Sequence, residues 1–173
     1  ALERPGYYRV TTGMMDAGLL KKRAGDFGCG VSDFLIAVMM ESYQSMLMDM
    51  PPGLRRRVIA PIRINVPVNL RKFWPSTTLR NFFVSVDPEI DPRFGIWTLE
   101  EIIDRSRNYI RLESDRRLLA GRMARSLRGE RNPLARVVPL VLKDLILPSL
   151  YSSFAERIFT SGLSNLGRVS MPE

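Results

Sequence analysis

The sequence predicts an α/β fold: a sheet carrying helices, without the regular alternation of a doubly wound domain. The first observation is a thirteen-residue alternation, with Val58, Ala60, Ile62, Ile64, Val66, Val68 and Leu70 on one side and Ile59, Pro61, Arg63, Asn65, Pro67 and Asn69 on the other. Successive strand side chains face opposite ways, so this is a long strand with one buried face. The other face, polar and notched by prolines, meets solvent, a cleft or another polypeptide. The second observation is the capping box Thr98-Leu99-Glu100-Glu101, which opens a long helix. The third is the order of elements, which runs helix, strand, strand, helix, helix, strand.

Taken in order, residues 1–23 read as an arm or linker, with a short strand at Tyr7-Tyr8-Arg9-Val10 and a short helix from Met14 to Lys22. Ser32 is the expected N-cap of the first main helix, with Asp33 complementing its dipole. Leu35, Val38, Met39, Ser42 and Met46 form one stripe of that helix, and Phe34, Ala37 and Met40 widen it, so it is covered on more than one side. It ends before Pro51-Pro52-Gly53. After the long strand, residues 71–79 form a loop and Asn81 to Asp87 alternate again as a second strand, closed by Asp87-Pro88 and Asp91-Pro92. The helix opened by Thr98 runs to about Gly129. Asn132-Pro133 starts another, kinked at Pro139, and Ile158 to Leu163 is the last strand.

Composition excludes several functions. The chain holds 173 residues, long enough for one core. It contains no histidine, and its one cysteine, Cys29, allows neither an internal disulfide nor a Cys/His zinc site. The net charge of +8 raises nucleic acid as a partner, but the arginines are scattered and even Arg55-Arg56-Arg57 is a run of only three, so that reading is set aside for an arginine-rich surface or a basic entrance for an anionic co-substrate. Ala1-Leu2-Glu3-Arg4-Pro5 lacks a signal-peptide core, and the apolar window Val137 to Leu150 is interrupted by Pro139, Lys143, Asp144 and Pro148, too short to span a bilayer. Cytoplasmic residence is the default expectation.

The glycine-rich stretch Gly25-Asp26-Phe27-Gly28-Cys29-Gly30 lacks the Lys-Ser/Thr of a phosphate loop and reads as a turn. Asp26-Phe27-Gly28 spells the kinase metal-binding triplet with nothing else of a kinase around it. Cys29 has no base partner and reads as an incidental thiol.

Pro67-Val68-Asn69-Leu70-Arg71, then Leu79-Arg80-Asn81-Phe82-Phe83 and, far downstream, Thr160-Ser161-Gly162-Leu163-Ser164-Asn165-Leu166-Gly167 follow one another, behind a helix opening like Val31-Ser32-Asp33-Phe34-Leu35. In order and spacing they resemble the C-terminal half of the chloramphenicol-acetyltransferase-like acyltransferases, closest to the alcohol O-acetyltransferase and condensation-domain types. The resemblance covers roughly residues 24 to 172. It implies a two-layer sandwich of a mixed sheet with helices, half of that fold, with residues 24–173 as the acyltransferase-like subdomain, cut before its last strands.

The family's catalytic motif, His-His-x-x-x-Asp-Gly, lies in its N-terminal half, so the resemblance implies a missing partner half that supplies the base, acyl-CoA or acyl-pantetheine as co-substrate, and no activity of this chain alone. Ser161, Ser164 and Asn165 are then expected to border the pantetheine channel, where a hydroxyl or amide donates to a developing oxyanion, or else to form a tight turn. Arg63, Asn65, Asn69, Arg71 and Asn81 are expected to line the substrate channel or to brace the structure. The alternative is a non-catalytic binding module that forms homo-oligomers through exposed sheet edges and the apolar Leu134 to Leu150 helix.

Overall fold

The computed structural model describes residues 9–78, 81–131, 159–165 and 167. Their elements are α1 (Ala17–Asp26), α2 (Val31–Met48), α3 (Pro52–Val58), β1 (Ile62–Asn69), β2 (Phe83–Val86), β3 (Glu89–Ile90), α4 (Leu99–Glu113), α5 (Arg116–Arg131) and β4 (Ser161–Gly162), with single 3-10 turns at Leu70–Lys72 and Pro92–Phe94. The fold is mixed α/β. Its four strands form one mixed sheet in which β1 pairs antiparallel with β2 and β3 and parallel with β4.

The backbone of β1 shows how these strands are arranged. Ile64 N–H donates to Pro88 C=O and Leu70 N–H to Phe82 C=O, each at 3.1 Å, so the even-numbered residues bond towards the returning chain. Thr160 N–H and Leu163 N–H donate to Arg63 C=O at 2.8 Å and Asn65 C=O at 2.9 Å, so the odd-numbered residues bond towards β4. The register from Asn69↔Phe83 to Ile62↔Ile90 has no slip. β2 and β3 are therefore two segments of one row on the same edge of β1, separated where Pro88 has no N–H to return to the ladder. β1 is the middle row.

The even face is the core face. Ile62, Ile64 and Ile90 are buried with Phe34, Ile36, Ala37 and Met40 of α2 and Ile102 and Ile103 of α4. Each such side chain, fully withdrawn from water, stabilises the fold by about 1.5–3 kcal/mol. On the odd face, directly opposed residues pair across the hairpin: Arg63 Nε donates to Glu89 Oε2 at 2.5 Å, and Asn65 Nδ2 to Asp87 Oδ1 at 2.7 Å. Cross-strand partners of this kind let polar side chains sit half-buried without an unsatisfied group.

Several local expectations are corrected. The strand is eight residues, because Val58 closes α3, a helix that Pro52 begins from its tolerated first-turn position. The N-cap of α2 is Gly30 rather than Ser32: Asp33 folds back to accept the Gly30 N–H at 3.4 Å, which starts the helix earlier. Its inward side is Phe34, Ile36, Ala37, Met40 and Gln44, whereas Ser42 and Met46 are exposed. Gln44 is buried because both ends of its amide are bonded, Nε2 donating to Trp97 C=O and Oε1 accepting from Trp97 N–H. The helix opened by Thr98 breaks at Ser114-Asp115, where the Asp115 carboxylate accepts from the N–H groups of Arg117 and Leu118 and so starts α5. α1 begins after Asp16, which caps it through the Leu19 N–H, and crosses the boundary expected at residue 23. Arg9 and Val10 lie in no regular element. The expected helix from Asn132 and the start of the last strand lie outside the described residues. No helix among the described residues is long and apolar enough to cross a membrane.

Two measurements test these assignments. Ile64→Ala leaves a cavity under the central row, with an expected loss of about 3 kcal/mol in urea unfolding. The Arg93 guanidinium, bonded to Asp91 at 2.5 Å, holds the Asp91 carboxyl below the usual carboxylate range against the opposing effect of burial. A lowered folded-state pKa contributes stability that is present above the unfolded value and is lost as pH falls through the folded one. Asp91→Asn therefore lowers the urea midpoint at neutral pH, and the gap to the parent protein narrows as the pH drops below the ordinary carboxylate range.

Candidate functional site

Pro67 decides where the site opens. Its odd position directs its backbone nitrogen towards β4, and without an N–H it cannot donate to that neighbour. Among the described residues the last bond across this edge is Leu163 N–H to Asn65 C=O, and beyond it residues 163–165 and 167 and the end of β1 border open space. Two depressions meet there. A cleft of about 600 Å³ on the helix side is lined by Val66, Val68, Phe73, Ile110 and Leu163 together with Ser32, Lys72 and Ser114. A groove of about 440 Å³ on the other side is lined by Arg71, Asn81, Phe82, Phe83 and Ser164. Pro67, Asn69 and Asn165 line both.

The result is a passage past the carboxyl ends of two parallel strands, the place where open α/β sheets bind ligands. Each depression falls in the volume range of small-molecule sites. Asn165 stands at the junction. Its Nδ2 donates to Ser32 Oγ at 2.9 Å, tying the β4 turn to the first turn of α2, and its Oδ1 accepts the Gly167 N–H at 2.8 Å. Gly167 has φ +69°, a left-handed turn that side chains disfavour. Asn69 likewise accepts the Arg71 N–H at 3.0 Å, and Arg71 Nη2 donates to Thr78 C=O at 2.8 Å, which braces the loop after β1.

The candidate residues thus divide. Asn69, Arg71, Asn81, Ser164 and Asn165 meet at the passage. Ser161 pairs with Ile64 in the ladder and lines neither depression, and Arg63 and Asn65 are engaged on the odd face with Glu89 and Asp87. Ser32, Lys72, Phe73, Ile110 and Ser114 join the lining from elements that no sequence pattern links to β4. Ser32 alone carried a signal, as a polar residue opening a helix.

The lining offers amide and hydroxyl groups, two cations and an apolar wall. Among the described residues that line it there is no carboxylate and no imidazole. Among the described residues no His/Cys/Asp/Glu cluster suits a metal. The Gly25–Gly30 turn is closed: the N–H groups of Phe27, Gly28 and Cys29 all donate to carbonyls at the end of α1 and cradle nothing. Cys29 donates its thiol to Ala24 C=O, and burial, then Asp33, push its pKa up, away from the thiolate a nucleophile needs.

No family model, curated protein or solved structure matches the chain.

Asn165→Ala removes both bonds at the junction. The expected cost is about 1 kcal/mol, with faster amide exchange at Gly167 and no change at Ile64, read by hydrogen exchange.

Proposed function

We propose that the chain is the C-terminal subdomain of an O-acyltransferase of the chloramphenicol-acetyltransferase-like type, using acyl-CoA or a carrier-bound acyl group, and that it forms one wall of the substrate tunnel. The observation that carries this reading is the passage at the splayed end of β1 and β4. Asn69, Arg71, Asn81, Ser164 and Asn165, which the resemblance singles out, converge there although up to 96 positions separate them. An extended acyl-pantetheine suits such a lining. Its amides find partners in Asn69, Ser164 and Asn165, and its methylene runs lie against Val66, Val68, Phe73 and Leu163.

The same lining explains why a second half is needed. Acyl transfer to an alcohol requires a base on the hydroxyl and donors to the oxyanion. This chain supplies amide and hydroxyl donors, Asn165 and Ser164 foremost, and the histidine comes from the N-terminal half. The division is one of chemistry as well as of chain: proton transfer on one side of the tunnel, orientation and charge stabilisation on the other.

Incubated with acetyl-CoA and a simple alcohol, the chain alone should release no free thiol above buffer. Joined to a half that carries His-His-x-x-x-Asp-Gly, it should turn over, and Asn165→Ala in that enzyme should lower kcat/KM by about tenfold or more with the fold retained by circular dichroism. Sustained turnover by this histidine-free chain alone overturns the proposal.

A further inference from the structure

Positive charge is concentrated at the end of α4 and along α5. α5 is Arg-Arg-Leu-Leu-Ala-Gly-Arg-Met-Ala-Arg-Ser-Leu-Arg-Gly-Glu-Arg, six arginines to one glutamate. Leu119 is fully buried and sets which side of α5 turns inward. At about 100° per residue Arg117 lies roughly opposite Leu119 while Leu118 and Arg125 share one flank, and all three are exposed. The end of α4 adds exposed Arg111 and Leu112, and Arg116 extends over the Trp74 ring at 5.6 Å. Lys72 stands exposed two residues from Trp74.

Nearby acids offset this charge only in part. Glu113 is paired with Arg122, Asp104 with Arg107, and the Asp115 carboxylate caps α5. We propose that this corner, formed by the end of α4 and the outer side of α5, is a docking surface for an acidic, leucine-bearing helix of a partner protein.

Charge complementarity selects the sign of the partner, since such surfaces steer and orient oppositely charged ones. The exposed leucines select its class. Leu112 is 69% and Leu118 50% exposed among the arginines, an arrangement that an acidic amphipathic helix matches with both its carboxylates and its apolar side. A nucleic acid backbone has no use for them. An anionic bilayer needs a continuous apolar stripe to insert, and Leu119 of α5 is buried against the protein. Ile110 and Ser114, at the end of α4, line the 600 Å³ cleft. The inference goes beyond the acyl-transfer reading and holds without it.

The test is fluorescence anisotropy on the full chain with four probes: a labelled twenty-residue Leu/Glu amphipathic peptide, polyglutamate, a single-stranded RNA of similar length and phosphatidylglycerol vesicles. The Leu/Glu peptide should bind most tightly. Arg117→Glu with Arg125→Glu should weaken it about tenfold or more, with circular dichroism unchanged. Leu112→Ser with Leu118→Ser should weaken the Leu/Glu peptide while leaving polyglutamate as it was. Tighter binding of RNA or vesicles than of the peptide overturns the proposal, as does indifference of the peptide to the paired charge reversal.

Discussion

Strand β1 directs its backbone hydrogen bonds in two directions, and the arrangement of the other elements depends on that. Even-numbered residues hold the returning hairpin row and odd-numbered ones hold β4, so a single strand joins chain segments nearly a hundred residues apart. Side-chain alternation is locked to the same parity. Ile62 and Ile64 must therefore meet α2 and α4, while Arg63 and Asn65 must meet Glu89 and Asp87. A slip of one residue would exchange the two faces and bury a guanidinium under a helix.

Two prolines interrupt this strand system without breaking it, and they act on opposite edges. Pro88 removes one N–H from the hairpin row, and the ladder resumes at Glu89 and Ile90 in the same register. Pro67 removes one N–H from the β4 edge, and among the described residues no bond beyond Leu163 restores it. The difference lies in the path of the neighbouring chain. Past Pro88 that chain continues beside β1, whereas past Leu163 it turns through Asn165 and Gly167 towards the start of α2. An interruption on one edge is a local gap; on the other it becomes a passage.

The character of that passage is set by what it lacks. Amides, hydroxyls and an apolar wall can hold a long, partly polar ligand, and Lys72 and Arg71 favour a neutral or anionic one. Among the described residues the lining contains no carboxylate and no imidazole.

The sequence by itself determined the elements whose cause is local. The alternation through Ile62 to Asn69 and Phe83 to Val86 specified strands and which side of each was apolar, and the Thr98–Glu101 box started a helix where one is found. The Asp115 cap and the Pro52 helix start were also written in the sequence, as a carboxylate serving two N–H groups and a proline at a first turn, but longer periodic patterns overrode them. What the tertiary structure alone decided is non-local. α2 is apolar nearly all round, so its inward side was chosen by Trp97 and the sheet, which buried Gln44 and left Met46 in water. The pairing of β1 with β4 depends on closing a loop of more than ninety residues, and no residue on either strand names its partner. The passage and the junction at Asn165 and Ser32 descend from that closure, because sequence patterns report which way a side chain faces and only packing reports what it faces.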